Sequence, residues 1–302
     1  MAQNRSISQN GSLAFLKQRA RDYFKLLKFR LSFLVVFSAV AAFLTAPVVG
    51  VFDLNAILIL GLGGFMITGA SNALNQVIEA EFDRKMTRTM NRPMAEERLD
   101  QVEAVVFALL MAAGGVALLG YYFNLVSALL GIIALLLYAF VYTPLKRVSP
   151  IGVFVGAFPG SMPLLIGWTA ATGELGTGGW ILFLIQFIWQ FPHFWAIAFI
   201  QHEDYSNAGF KMLPSPGGIT KYNATLILIY TALLIPVAIL PFGMGMSSWI
   251  GLAILALCGG FFTLKSWKLY QNLNRKSALG VMFASFIYLP IVQITLAVEN
   301  FM

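Results

Sequence analysis

The sequence predicts an all-α membrane protein in which nine helices cross the bilayer. Of its 302 residues, 59% are hydrophobic and only 11% are charged, whereas roughly 25% of residues are charged in an ordinary soluble domain. Nine mainly apolar segments approach the ~20 residues that a spanning helix requires. We therefore expect one transmembrane domain over residues 31–302, preceded by a polar segment over residues 1–30.

The first 30 residues are polar and basic, with Asp22 as their only acidic residue. They lack the apolar core and the small-residue cleavage site of a secretory signal. Their Arg and Ser content leaves a mitochondrial presequence open as an alternative to a cytoplasmic segment of a bacterial protein.

The nine predicted spans are joined by short connections on one side and by longer ones, such as 79–101 and 201–222, on the other. A transmembrane helix tolerates glycine and proline where neighbouring helices satisfy the freed backbone groups. The fifth span, with Gly156, Pro159, Gly160, Pro163 and Gly167, predicts a bend or a close contact between helices. In order, the spans cover residues 31–47, 55–78, 102–121, 123–141, 150–171, 180–200, 223–241, 248–266 and 279–298.

The basic residues are sorted to one side of these spans. If the spans alternate in direction, all 20 Lys and Arg residues fall on one face, and the opposite connections carry only Asp53 and Glu174, with Glu299 in the tail. Basic loops mark the cytoplasmic face. We expect a cytoplasmic N-terminus and an external C-terminus, and we attribute the net charge of +7 to orientation and anionic substrates, not to nucleic acid.

The second span ends in a stripe of oxygen-bearing side chains. Asn75, Glu79 and Asp83 are four residues apart, which places them within an arc of roughly 80° on one helix face. Magnesium takes oxygen ligands, commonly carboxylates together with substrate phosphates. Basic residues that could bind a diphosphate follow at once; equally, this could be a helix end whose charges are solvated or paired. They are Arg84, Lys85, Arg88 and Arg92.

A second polar cluster follows the sixth span, on the same predicted face. His193 lies within the span, where a polar group is costly unless it is partnered; it is a candidate functional residue, or it could be a hydrogen-bonded packing residue. Two acidic helix ends on one face could share magnesium ions, although Glu203 and Asp204 could also begin a solvated loop. The exit of the sixth span carries His202, Glu203, Asp204, Tyr205 and Lys211, and the fourth span ends with Tyr142, Lys146 and Arg147.

Two motifs resemble a known family. The run NxxxExxxDxxMxRTxxRP, from Asn75 to Pro93, is similar to the first motif of the UbiA-type intramembrane prenyltransferases, specifically their protoheme IX farnesyltransferase (heme O synthase) branch. The run HFWAIAxxxxxDYxxAGxxMLP, from His193 to Pro214, resembles the same branch more than its quinone-forming relatives. The wider superfamily usually has Asp in place of Glu79, and two spaced carboxylates in place of the adjacent Glu203 and Asp204.

The resemblance implies nine helices around a central cavity and transfer of a farnesyl group from farnesyl diphosphate to a vinyl group of heme b, giving heme O and diphosphate. It implies Mg²⁺ as cofactor, the bilayer of the bacterial inner membrane or, alternatively, the mitochondrial one, and partners such as heme A synthase or oxidase assembly proteins. The implied metal ligands and catalytic residues are Asn75, Glu79, Asp83 and Asp204. The implied substrate-binding residues are Arg88, Arg92, Lys146, Arg147, His193, Tyr142 and Tyr205.

Two other functions fit parts of the sequence. One is a prenyltransferase of the same superfamily that acts on an aromatic quinone precursor, against which the second motif argues. The other is an ion-coupled transporter, because buried carboxylates in helical bundles also serve ion pathways. Here the carboxylates lie at cytoplasmic helix ends, which favours a substrate with an interfacial headgroup.

Overall fold

The computed structural model of the chain describes residues 2–50, 52–215 and 217–302. Within these ranges the chain is mainly helical and contains no strand, so the all-α prediction is confirmed. In chain order the helices are α1 (Ala2–Leu26), α2 (Phe29–Thr45), α3 (Leu54–Asp83), α4 (Gln101–Tyr122), α5 (Leu125–Leu136), a π-helical segment (Leu137–Tyr142), α6 (Thr143–Val148), α7 (Ile151–Thr172), α8 (Thr177–Ile200), α9 (His202–Asn207), α10 (Lys221–Val237), α11 (Ile239–Gly243), α12 (Trp249–Asn272) and α13 (Arg275–Glu299).

Eight of the described helical stretches are long and apolar enough to cross a membrane. The first predicted span corresponds to α2, which has 17 residues. It meets the same criterion only together with α1, from which it is bent by 45°, and that pair raises the number of spans to nine. The membrane-protein prediction is therefore confirmed.

Helix α3 extends five residues beyond the predicted end of the second span. The apolar pattern stops near residue 78, but the helix continues to Asp83. The extension contains Glu79, Ala80 and Glu81, and Glu and Ala are good helix formers even where Glu lowers the hydropathy. As a result, the whole polar stripe lies on one continuous helix.

Helices α7 and α8 form the centre of the bundle. In each, 72% of the apolar stretch is buried, against 22% in α4. The glycines of α7 permit close helix contacts, as predicted: a Cβ at Gly167 would overlap the carbonyl oxygen of Ala39 on α2, and one at Gly160 would overlap the Gln190 amide on α8.

Buried amide side chains join four helices in this centre. Gln293 on α13 donates from Nε2 to Ser38 Oγ on α2 at 3.0 Å and to Gln186 Oε1 on α8 at 2.9 Å. Gln186 in turn donates to the carbonyl oxygen of Gly160 on α7 at 2.6 Å. Such bonds average about 0.6 kcal/mol each in membrane proteins, and here they fix how the four helices are placed around α7.

The helix between α5 and α6 widens into a π-helical segment over Leu137–Tyr142. Pro144 follows directly, at the start of α6. A proline has no N–H to donate, and its ring clashes with the carbonyl group four residues earlier, here that of Phe140. The wider turn accommodates that ring, and such turns are common at functional sites.

Helix α1 is held against the loop that follows α3, residues 84–99, which we call the arginine loop. Asp22 on α1 is 1% exposed. Its carboxylate accepts from Arg98 Nε at 3.0 Å and from Gln18 Nε2 at 3.1 Å. Arg19 and Tyr23 both bind Glu103 at the start of α4. The polar N-terminal segment is thus attached to the part of the chain that carries Arg88 and Arg92.

Candidate active site

A cavity of about 260 Å³ opens where α3, the π-helical segment and α6 end. Its wall is completed by the start of α2, by the arginine loop and by the loop after α9. Sites for drug-sized ligands measure roughly 300–1,000 Å³, so in this conformation the cavity suits a headgroup more than a whole lipid or porphyrin. The lining residues are Lys28, Leu31, Asn75, Glu79, Asp83, Met86, Arg88, Arg92, Tyr138, Tyr142, Lys146, Tyr205, Phe210 and Met212.

The polar stripe of α3 forms one wall of this cavity. Asn75, Glu79 and Asp83 are 1%, 2% and 0% exposed. Each lies beside a different basic side chain: Lys28 Nζ is 2.9 Å from Asn75 Oδ1, Lys146 Nζ is 2.9 Å from Glu79 Oε2, and Arg92 Nη1 is 2.7 Å from Asp83 Oδ2. The carboxylates are therefore paired, as buried charges must be.

The oxygens of the stripe fit a divalent cation. They are amide and carboxylate oxygens, the ligands that magnesium prefers. The buried Glu79 Oε1 has no hydrogen-bond partner of normal geometry; although Lys146 Nζ is 2.8 Å away, its hydrogen bond goes to Oε2 at 2.9 Å. At Asn75 Oδ1 the ammonium of Lys28 occupies the position that a cation would take.

Basic side chains outnumber carboxylates in the cavity wall by four to two. The four are Lys28, Arg88, Arg92 and Lys146. The surplus of basic groups favours an anion that carries more negative charge than one carboxylate.

The two polar clusters meet on one face, as the alternating topology predicts. Thr87 Oγ1 donates to Asp204 Oδ1 at 3.1 Å, and Arg88 Nη2 donates to the Tyr205 hydroxyl at 3.2 Å. Tyr205 lines the cavity, whereas Asp204 does not. The described residues contain no group of three or more His, Cys, Asp or Glu side chains that could hold a metal, so the ligand roles of Glu79, Asp83 and Asp204 stay predictions.

Two further predicted residues lie outside the cavity lining. The Arg147 guanidinium lies over the ring of Phe82, 4.3 Å from its centre. His193 is buried in α8, with its ring stacked on Trp189 at 4.6 Å between centres and its Nδ1 2.7 Å from Ser285 Oγ. Neither position tests the role that the sequence predicted.

Some lining residues were not predicted from the sequence. Lys28 precedes the first span, where a lysine looks like an orientation signal, and Tyr138 looks like one more membrane aromatic. Phe210 reaches the cavity because the loop after α9 is held to α6 by a hydrogen bond from Lys211 N to Lys146 O of 2.9 Å. Lys28 could have been found, because it lies on the same predicted face as the stripe.

Known proteins resemble this chain over most of its length. The UbiA prenyltransferase family matches residues 34–288. A protoheme IX farnesyltransferase of Cytophaga hutchinsonii is 46% identical over 92% of this chain and 97% of its own. One of Flavobacterium johnsoniae is 40% identical over 93% of this chain and 95% of its own.

Solved structures share the fold at much lower identity. A digeranylgeranylglyceryl phosphate synthase superposes with a TM-score of 0.78 at 19% identity, covering 94% of this chain and 99% of that one. A UbiA homologue from Archaeoglobus fulgidus, bound to GPP and Mg²⁺, superposes with a TM-score of 0.69 at 16% identity, covering 91% of this chain and 99% of that one.

Proposed function

Because the chain belongs to the UbiA prenyltransferase family, we propose that it transfers a farnesyl group from farnesyl diphosphate to a vinyl group of heme b. The observation that carries the donor half of the proposal is the cavity wall, where four basic side chains surround a stripe of amide and carboxylate oxygens. The acceptor half is supported by the relatives of 40–46% identity, which are protoheme IX farnesyltransferases.

The basic residues of the wall would bind the diphosphate oxygens. Guanidinium groups match phosphate oxygens with paired N–H donors, whereas an ammonium acts as a point charge. When the farnesyl C–O bond breaks, negative charge grows on the leaving diphosphate, so cations fixed around it stabilise the transition state more than the ground state. We assign this role to the four basic lining residues Lys28, Arg88, Arg92 and Lys146, with Arg147, outside the cavity lining, as a further candidate.

Asn75, Glu79 and Asp83 would hold Mg²⁺, with Asp204 as a candidate ligand of a second ion. When bound, the metal would neutralise diphosphate oxygens and assist departure of the leaving group. A bound diphosphate would also draw Lys146 and Arg92 away from Glu79 and Asp83. The A. fulgidus homologue, which binds GPP together with Mg²⁺, supports this assignment.

Tyr142 and Tyr205 would lie beside the first carbons of the farnesyl chain. Both line the cavity, and aromatic faces attract cations. Loss of diphosphate leaves an allylic cation on the farnesyl group. A vinyl carbon of heme b would attack it to form the C–C bond, and water would then add to the resulting cation and release a proton, giving the hydroxyethylfarnesyl group of heme O.

His193 would approach the heme iron through Nε2. The Ser285 hydroxyl donates its proton to the carbonyl oxygen of Met282 at 2.6 Å, so its oxygen accepts from His193 Nδ1 at 2.7 Å. Nε2 then carries the lone pair, and a neutral imidazole nitrogen held in this way is a common iron ligand.

We further propose that residues 31–302 form a single domain in a bacterial cytoplasmic membrane, with the cavity facing the cytoplasm. The one-sided distribution of Lys and Arg supports this orientation. The farnesylated product would carry a long apolar chain and would stay in the membrane, and we propose a heme A synthase or an oxidase assembly protein as its receiver.

Purified protein should be incubated with Mg²⁺, farnesyl diphosphate and either heme b or 4-hydroxybenzoate, and the products should be read by mass spectrometry. We expect a farnesylated product in the incubation with heme b and none in the incubation with 4-hydroxybenzoate. His193→Ala should impair heme use and leave farnesyl diphosphate binding largely intact. Prenylated 4-hydroxybenzoate with unchanged heme b would refute the acceptor assignment while leaving the prenyltransferase chemistry in place.

A further inference from the structure

Thr143 is a fully buried hydroxyl at the junction of the π-helical segment and α6. It lies between two parts of the site. Its Oγ1 donates to the carbonyl oxygen of Tyr138 at 2.8 Å and accepts from Asn75 Nδ2 at 3.1 Å. The proposed function assigns no role to this side chain, and a buried hydroxyl with two well-placed partners invites the question of what it orients.

The direction of these hydrogen bonds is fixed by chemistry. A carbonyl oxygen only accepts, so the single hydroxyl proton of Thr143 goes to Tyr138. The hydroxyl oxygen therefore presents lone pairs to Asn75. Glu79 Oε2, 2.9 Å from Asn75 Nδ2, also only accepts when ionised. Two acceptors thus require the NH₂ group of Asn75 on their side.

The third contact of the amide agrees with this orientation. Asn75 Oδ1 faces the opposite way and accepts from Lys28 Nζ at 2.9 Å. A flipped amide would place Oδ1 against two acceptors and the NH₂ group against an ammonium. Leaving a buried polar group without a partner costs more than a typical hydrogen bond contributes to stability, so a single orientation is favoured.

The π-helical segment explains how Thr143 reaches Asn75. In this wide turn the carbonyl oxygen of Tyr138 accepts the backbone N–H of Thr143, five residues later. The same carbonyl therefore lies close enough to take the hydroxyl proton as well. The orientation of Asn75 on α3 thereby depends on a local widening of another helix.

We propose that Thr143 is a positioning residue that turns the Asn75 carbonyl oxygen toward the cavity, where it can bind a divalent cation. The proposal rests on the proposed function, because it takes Asn75 as a metal ligand. Thr143 itself touches neither the metal nor the diphosphate. It acts through Asn75, as groups that orient metal ligands commonly do.

The test compares two pairs of variants that differ by the hydroxyl group. Thr143→Val replaces the hydroxyl of the native residue with a methyl group of similar volume, and Thr143→Ala lacks the hydroxyl that Thr143→Ser retains. Binding of Mn²⁺ to the purified protein, with the non-ionising analogue farnesyl S-thiolodiphosphate present, should be measured by electron paramagnetic resonance. Monodisperse elution and thermal unfolding check the fold of each variant.

Thr143→Val and Thr143→Ala should each weaken Mn²⁺ binding about tenfold, whereas Thr143→Ser should stay within about twofold of the native protein. If Thr143 acted only by packing, Thr143→Ser and Thr143→Ala would weaken Mn²⁺ binding to the same extent. That result, or unchanged Mn²⁺ binding in Thr143→Val, would overturn the proposal. Asn75→Ala separates the two hypotheses. If it binds Mn²⁺ normally, the metal assignment of the proposed function fails; if it alone loses Mn²⁺, only the role of Thr143 fails.

Discussion

Replacing Arg98 by methionine should detach α1 from the arginine loop and weaken substrate binding from a distance. Asp22 is 1% exposed, and the side chain of Arg98 is 23% exposed. Removing one partner of a buried ion pair costs roughly 3–5 kcal/mol, because the other charge stays buried without compensation. Since Arg98 is partly in solvent, we expect about 3 kcal/mol, the lower end of that range.

A change of this size would shift the equilibrium between the attached and the detached arrangement of α1 and the arginine loop about a hundredfold toward the detached one, since each 1.4 kcal/mol is a factor of ten. The arginine loop would then lose the ion pair of the Arg98 side chain with α1 and its 3.2 Å hydrogen bond to the carbonyl oxygen of Asn91, while the 3.4 Å hydrogen bond from Arg19 Nη1 to the backbone oxygen of Arg98 remains. Arg88 and Arg92 would be held less firmly around the diphosphate. We therefore expect a several-fold rise in KM for farnesyl diphosphate with a smaller change in kcat.

The control is the double variant Asp22→Leu with Arg98→Met, which removes both charges. Replacing a buried ion pair with apolar residues is often neutral, so the double variant should recover most of the lost stability and of the KM. Thermal unfolding in detergent and initial rates measure both quantities. If the single and double variants lose the same stability, or if KM is unchanged in the single variant, the ion pair does not position the loop.

Three further experiments test the metal site, the topology and the packing around Tyr142. Asp83→Asn keeps the shape of the side chain but removes one charge, so the folded and inserted variant should lose nearly all magnesium-dependent turnover. Lys17→Ala, an exposed control on α1, should keep its turnover. Near-normal turnover in Asp83→Asn would mean that Asp83 is not part of the metal site. A reporter that is active only in the cytoplasm should be silent after Met302, and activity there would overturn the topology. Gly156→Ala would place a Cβ 2.5 Å from the Tyr142 ring. We therefore expect a loss of stability of about 1–3 kcal/mol from overpacking and a raised KM for farnesyl diphosphate. An unchanged KM would mean that the ring moves freely.

Local periodicity predicted the parts of the site that lie on one helix. The spacing of Asn75, Glu79 and Asp83 suffices to place them on one face of α3, and alternation of the spans suffices to bring the second cluster to the same side. The π-helical segment was not predicted, because Pro144 at a helix end looks like any tolerated membrane proline. The effect of the π-helical segment on the site depends on Thr143, which belongs to no periodic pattern in the sequence.

Contacts between side chains that are distant in sequence could not be predicted for the same reason. Ser285 is 92 residues from His193, and no local pattern links the two. The pairing of Lys146 with Glu79 and of Arg92 with Asp83 was likewise not predicted, because spacing locates charges on a face without saying which pairs form. Tertiary packing decides those pairs, so the sequence predicted the members of the cavity wall better than their contacts.

The attachment of α1 has a consequence for the order in which the protein is made. Asp22 leaves the ribosome 76 residues before Arg98, which corresponds to about 4–15 s of synthesis. During that interval α1 has no ion-pair partner, while its exposed apolar residues Phe15, Leu16 and Phe24 suit the surface of the bilayer. The arginine loop emerges only after α3, so the ion pair that secures it forms late. The nascent chain must therefore insert its first helices before Arg88 and Arg92 of the arginine loop can take their places in the diphosphate site.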